Sequence, residues 1–172
     1  MVSHLLRDAP HTDAWREYFQ IGVEVGFARG EVWTTDALSG ACIFFAPGRW
    51  QVSMWQELKA AWRIARATSM ATTLDIRRVF HLLEDAQPRQ SHCYLLAIGV
   101  TASQRNRGLG AALMRPMLDR CQEEQAPAYL ENTDPNNKRF YERFGFQLTR
   151  SLSLPNGTPP IDLMWRELAR SG

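Results

Sequence analysis

Arg105-Asn106-Arg107-Gly108-Leu109-Gly110-Ala111 is the stretch on which the reading of this chain turns. The apolar run Leu95-Leu96-Ala97-Ile98-Gly99-Val100 precedes it and an amphipathic helical pattern follows, so it reads as a turn from a buried strand into a helix. Gly108 and Gly110 let the backbone fold closely around a ligand. The first amides of the helix have no intrahelical acceptor and point outward, with the positive end of the helix dipole behind them. Such a turn suits a pyrophosphate, to which Arg105 and Arg107 would add charge. A glycine-rich connection that binds nothing would carry the same local signs, because short glycine patterns recur by chance.

Two other phosphate turns are excluded. The Walker pattern needs Gly-Lys-Ser or Gly-Lys-Thr, and neither Lys-Ser nor Lys-Thr occurs in the chain. The dinucleotide fingerprint needs a third glycine where Leu113 stands, and an acidic residue about 20 positions on.

Outward from the turn, the pattern alternates strands and helices. Asp13 to Ala28 has helical spacing of Trp15, Tyr18, Phe19, Val23 and Phe27 after a Thr12 or Asp13 cap, and Gly30 ends it. Val32–Thr35 and Ala41–Phe45 read as a hairpin, Trp50–Met70 and Thr73–Leu83 as two helices, and Tyr94–Val100 as a strand. The helix from Gly108 is expected to bury Leu109, Ala112, Leu113, Met117 and Cys121 and to bend at Pro116. A strand at Ala128–Glu131, a helix at Asn136–Phe144 and strands near Phe146–Leu154 and Ile161–Trp165 complete an α/β domain.

With 172 residues the chain is read as one domain, able to bury roughly two thirds of its unfolded surface. A net charge of +2 with scattered basic residues points away from nucleic acid and from polybasic membrane binding. Cys42, Cys93 and Cys121 are odd in number, with no metal-type spacing, so no metal site is expected and reduced thiols in a cytoplasm are. No apolar run is long enough to span a membrane, and no signal core is present.

Arg105, Gly108 and Gly110 occupy the three fixed positions of a pattern written Gln or Arg, two residues, Gly, one residue, Gly or Ala. A second block, Tyr129-Leu130-Glu131-Asn132 and then Asn137-Lys138-Arg139-Phe140-Tyr141-Glu142-Arg143-Phe144-Gly145-Phe146, follows at the right spacing. Together these resemble the acetyl-coenzyme A motifs of the Gcn5-related N-acetyltransferase (GNAT) family, nearest to its puromycin-acetylating branch. The likeness runs from about Thr12 to Leu168 and includes Gly30-Glu31-Val32-Trp33, Leu95 to Gly110, Pro127 to Phe146 and Leu154-Pro155. It implies a single-domain α/β fold over 1–172, with a mixed, mostly antiparallel central sheet flanked by helices and with splayed central strands. The cofactor motifs would lie in 94–146 and the acceptor side in about 47–90. Family members begin with a strand and a helix, whereas only about eleven residues precede the segment matching Thr12 to Phe27. The first strand is therefore expected to be missing or replaced, leaving either an edge that a homodimer would cover or a shortened chain.

The resemblance implies transfer of an acetyl group from acetyl-coenzyme A to an amine by direct attack in a ternary complex. Tyr141 matches the family tyrosine that protonates the departing thiolate, a task suited to a phenol, which stays protonated at pH 7. Ile98, Gly99 and Val100 match the splayed strand whose backbone pairs with the pantetheine arm, and Gly99 suits a bulge or a close ligand approach. Asn106 to Ala111 would hold the pyrophosphate. Asn137 would reach the pantetheine amides, with Asn132 equally readable as a cap. For the general base the order is Glu131, His92, then Glu84 with Asp85. Glu131 ends the strand beside the cleft, where desolvation would raise its pKa, and His92 titrates near neutrality unaided.

The acceptor is expected to be a small-molecule primary amine. Trp50, Met54, Trp55, Trp62 and Phe80 lie on the acceptor side and could stack on an aromatic amine, but core packing is the commoner use of such spacing. Two rival readings stay open. One is a non-catalytic acyl-coenzyme A binding module that regulates a partner. The other is an acyl carrier using the thiol of Cys93 or Cys121, which would need a neighbouring base.

Overall fold

The computed structural model describes residues 11–51, 62–63, 66, 78–79, 81–154 and 159–168, with side chains in the first helix from 19 onward. Helix α1 (His11–Arg29) leads into strands β1 (Glu31–Thr34) and β2 (Gly40–Phe45). Strand β3 (Cys93–Val100), a 3-10 turn at Ala102–Gln104 and helix α2 (Leu109–Glu123) follow. Strand β4 (Ala128–Asn132), a 3-10 turn at Pro135–Asn137, helix α3 (Lys138–Glu142), and strands β5 (Gln147–Leu152) and β6 (Ile161–Arg166) end the order.

The strands form one six-stranded sheet in the order β1-β2-β3-β4-β6-β5, and every pairing is antiparallel except β3 with β4. This is the mixed, mostly antiparallel sheet expected. On one face Cys42, Phe44, Leu95 and Leu130 pack with Leu113, Met114 and Met117 of α2 and Tyr141 of α3. On the other, Tyr129 and Leu163 pack with Val79, Leu83 and Ile161. α1 belongs to that second face, because Gly26 lies against Ile43, whose neighbours Cys42 and Phe44 point the opposite way. Burial of two apolar faces by flanking helices is the main stabilising term of such a sheet.

The sheet departs from regular pairing where it matters most. Phe44 pairs with Leu95 but Ile43 with Ala97, leaving Leu96 as an extra residue, a β-bulge. The bulge reverses the alternation, so Leu95 on one side of it and Ile98 and Val100 on the other all face the α2 core. The pairing of β3 with β4 also stops there, at Cys93↔Ala128, Tyr94↔Tyr129 and Leu95↔Leu130. Beyond Leu95 the two strands part, as the splayed arrangement requires.

Several expectations shift. α2 buries Leu113, Met114, Met117 and Cys121, but Leu109 is only half-buried and Ala112 is exposed. Both line an outward groove of about 430 Å³ with Trp33 and Pro116, because β1 is too short and too near the edge to cover that side of the helix. The single helix expected at Asn136–Phe144 is a 3-10 turn followed by a short α3. Pro135 opens the turn and Gly145, at φ 85°, ends the helix. Residues 81–86 are helical, three residues past the expected end, whereas the helices expected at 50–70 and 73–83 fall largely outside the described residues. The missing opening strand concerns residues 1–10, also outside them; among the described residues β1 is an edge strand.

Candidate active site

The turn after β3 has the geometry its glycines suggest. Asn106 (φ 60°) and Gly108 (φ 81°) are both left-handed, which a glycine adopts freely and an asparagine tolerates. The first intrahelical bond of α2 is Ala112 N–H to Gly108 O at 3.0 Å. The six amides from Asn106 to Ala111 therefore make no hydrogen bond within the described residues, and Gly108 offers no side-chain cap. They converge at the positive end of a 15-residue helix. Arg105 and Arg107 flank them, exposed, with Arg107 held to Gln104 Oε1 at 3.3 Å. Gly110 lacks a side chain for another reason: a Cβ there would come within 3.2 Å of the Phe140 ring, so its absence seats α3 against the start of α2.

The opening between the parted strands lies next to this turn. Ile98, Gly99 and Val100 form its β3 wall, with main-chain groups no longer paired to β4. Of the two uses read for Gly99, a bulge or a close ligand approach, the bulge lies three residues earlier, at Leu96, where β3 leaves β4. Gly99 itself pairs regularly with Ala41, and a Cβ on it would meet nothing within 4 Å among the described residues. Alternation puts that bare position on the face away from α2.

Glu131 and Asn132 form the β4 wall, paired only to Leu163 and Asp162 of β6. Glu131 is half-buried on the second face and accepts hydrogen bonds from Tyr94 Oη at 3.2 Å and Tyr129 Oη at 3.4 Å. Burial pushes its carboxyl up to about 7, against the lowering effect of those two hydroxyls. Asn132 is buried on the α2 face; its Oδ1 accepts from Asp134 N–H at 3.3 Å while its Nδ2 has no partner. It thus serves as a turn cap with one atom and leaves a donor free with the other. Asp134, not Asn137, caps the following turn through Asn136 N–H at 3.0 Å, so the exposed Asn137 side chain makes no cap bond.

Tyr141 enters from below, on the α2 face, beside Ile98 and Val100 in the same core. It is buried, makes no hydrogen bond through its hydroxyl among the described residues, and is pushed up to about 12 by burial, then by Cys42 and Asp134. A phenol in that state is a donor at any physiological pH. Tyr141 and Glu131 therefore stand on opposite faces of the sheet.

His92 is not brought to this opening. It precedes β3 at the closed, paired end, buried against Trp50 (6.1 Å between ring centroids), Tyr129 (5.3 Å) and Trp165 (5.6 Å). Nδ1 lies 2.7 Å from Gln90 O, Nε2 has no partner among the described residues, and burial lowers its pKa. Glu84 is exposed beside His81, and Asp85 is exposed as well. Trp62, expected in the core, is exposed, with Arg66 4.8 Å above its ring; Met54, Trp55 and Phe80 lie outside the described residues. The three cysteines are buried and free. Burial pushes Cys42 up to about 12; the hydrogen bond between Cys93 and Cys121 pushes Cys93 up and Cys121 down, and both of these thiols are fully buried, without the access an acyl carrier needs. Among the described residues no His, Cys, Asp and Glu cluster could hold a metal ion, and no helix is long and apolar enough to cross a membrane.

Residues 54–146, just over half of the 172, match the model of the acetyltransferase (GNAT) family. The chain belongs to this family. An uncharacterized N-acetyltransferase of Schizosaccharomyces pombe is 26% identical to it over 176 aligned positions, covering 96% of this chain and 71% of the relative. Among solved structures, the histone acetyltransferase HPA2 and related acetyltransferase of Corynebacterium glutamicum superposes with a TM-score of 0.66 at 20% identity, over 96% of this chain and 82% of that one. The Drosophila melanogaster polyamine N acetyltransferase superposes at 0.52 and 19% identity, over 76% and 69%. These structural likenesses support the GNAT fold.

The tyrosines that grip Glu131 are absent from the candidate residues read from sequence. A signal was there. Tyr129 and Glu131 are two apart on one strand and so share a face, while Tyr94 stands at the start of the neighbouring parallel strand.

Proposed function

We propose that this GNAT protein transfers the acetyl group of acetyl-coenzyme A to the primary amine of a small molecule, by direct attack within a ternary complex. What supports the reading is one opening flanked by a glycine turn with free amides, a raised carboxylate on one face and, on the other, a phenol unpaired among the described residues. The amides of Asn106 to Ala111, with Arg105 and Arg107, would hold the pyrophosphate. The main chain of Ile98, Gly99 and Val100 and the side chains of Asn132 and Asn137 would hold the pantetheine arm on the α2 face. The acceptor would enter from the other face, built in part from 47–90.

Chemistry then divides between the two faces. Glu131, with a pKa of about 7, is ionised in a useful fraction at neutral pH and takes the proton of the attacking amine. The amine nitrogen bonds to the thioester carbon, and an unpaired β3 amide stabilises the charge that develops on its oxygen. The C–S bond breaks, and Tyr141 hydrogen-bonds and protonates the leaving sulfur.

Charge bears on the acceptor. Residues 47–73 contain Glu57 as their only acid against Arg49, Lys59, Arg63 and Arg66, a poor wall for a polycation. This sets the chain apart from the acceptor named for the Drosophila enzyme. Thiol release from acetyl-coenzyme A should be measured with aromatic and aliphatic monoamines, aminonucleosides, spermine and lysine-rich peptides. Monoamines or aminonucleosides should lead, and preference for spermine or the peptides would overturn the acceptor reading. Tight cofactor binding with no turnover on any amine would favour the regulatory module instead.

A further inference from the structure

Among the described residues, Glu131 is the one carboxylate at the opening with two phenol donors, and they come from different strands. Tyr94 lies on β3 and Tyr129 on β4, paired with each other in register and with rings stacked at 5.9 Å. Each sends its hydroxyl to a different oxygen of the same carboxylate, Tyr94 to Oε2 and Tyr129 to Oε1. Both contacts, at 3.2 and 3.4 Å, are longer than an ideal O–H···O bond and have room to shorten as charge gathers on the acceptor. Around them the rings are locked: Phe45 stacks on Tyr94 at 6.2 Å, Trp50 meets its edge at 6.3 Å, and His92 meets the edge of Tyr129 at 5.3 Å. Donors held this firmly turn toward the carboxylate at little further entropic expense.

Resting on the function proposed above, we propose that Tyr94 and Tyr129 are positioning residues for Glu131: together they aim its carboxylate along the opening and hold it ready to accept the amine proton. The paired end of β3 and β4 is then a platform for the base as well as part of the core. Among the described residues, the other groups facing Glu131 do not compete for this role. β6 presents Leu163 and Trp165 on this face, and the helical residues packed below contribute Val79 and Leu83. The titratable Arg78, His81, Glu84 and Asp85 of that segment are exposed, and His92 keeps its Nδ1 on Gln90 O. Burial, then the charge of Glu131, raise the Tyr129 phenol, so it remains a donor.

The test follows the side-chain carboxyl carbon of Glu131 by ¹³C NMR titration of the ligand-free protein, the signal being assigned by its loss in Glu131→Gln. Tyr94→Phe and Tyr129→Phe should each raise its midpoint by roughly one pH unit, and the double variant by more, since a donor to the ionised form is lost each time. The acidic limb of kcat/KM for the amine should move up by the same amount, with KM for acetyl-coenzyme A unchanged. Tyr94 is half-buried and the change is conservative, so Tyr94→Phe keeps the test open if the deeply buried Tyr129 variant fails to fold. A midpoint that stays put in Tyr94→Phe and in every folded variant would overturn the proposal. A midpoint that moves in a protein showing no transfer on any amine would uphold the pair and count against the function proposed.

Discussion

Replacing Glu131 by glutamine should stabilise the protein at alkaline pH while removing its activity. The folded chain lifts this carboxyl from 4.5 to about 7, with burial as the main cause. Its protonated form is therefore the one the fold prefers: the stabilisation is fully present below about pH 4.5 and lost as pH rises through about 7. At about 1.4 kcal/mol for each pH unit of displacement, the loss comes to about 3.5 kcal/mol, an upper figure for a side chain that is only half-buried. Glutamine is nearly isosteric, can still accept from Tyr94 or Tyr129, and does not titrate. The difference in stability between variant and parent should then be small at pH 4.5 and grow to between about 1 and 3 kcal/mol by pH 8.5, an increase in Tm on the order of 5–10 °C at the upper end. Paired thermal or urea melts at four pH values between 4.5 and 8.5 measure it. A difference that does not change across that range would refute the claim that Glu131 is held in a strained, base-like state. Retention of acetyl transfer by the variant would separately remove it from the mechanism.

Tyr141→Phe should lower kcat by roughly ten-fold or more, with acetyl-coenzyme A affinity within two-fold of the parent, as for loss of a group acting on the leaving sulfur. Equal kcat values would exclude it as the acid. Gly99→Val should fold normally, since the position is open and its backbone is ordinary, but its side chain would enter the opening from the acceptor face. KM for the amine should rise by roughly ten-fold while calorimetric affinity for acetyl-coenzyme A stays the same; the reverse pattern would place the amine on the α2 side.

The glycine turn with its free amides, the strand before it and the helix after it were legible in the sequence because their physics is local. Glycine at Gly108 permits a left-handed backbone, and the amides that follow are unpaired in any helix that starts there. The order of elements and the apolar faces of β2, β3 and β4 followed from periodicity for the same reason. Glu131 could be singled out because a carboxylate after two apolar residues at a strand end faces desolvation wherever the strand goes. The family motifs added what periodicity lacks, the expectation that β3 and β4 part.

Tertiary structure decided the rest, since it depends on register between distant strands. The bulge lies at Leu96 and not at Gly99 because β2, some fifty residues away in sequence, sets the pairing of Ile43 with Ala97 and of Phe44 with Leu95. That one extra residue turns Ile98 and Val100 toward α2 and leaves Gly99 on the other face. His92 stood second to Glu131 as a candidate base, and in parallel strands paired at Cys93↔Ala128 it stands at the closed end and Glu131 at the open one. The same pairing sets Tyr94 beside Tyr129, so that two phenols meet one carboxylate. Sequence specified which groups can bind phosphate or move a proton; only the register of β3 on β2 and β4 fixed which of them share an opening, because that register is set by side chains packing across the sheet.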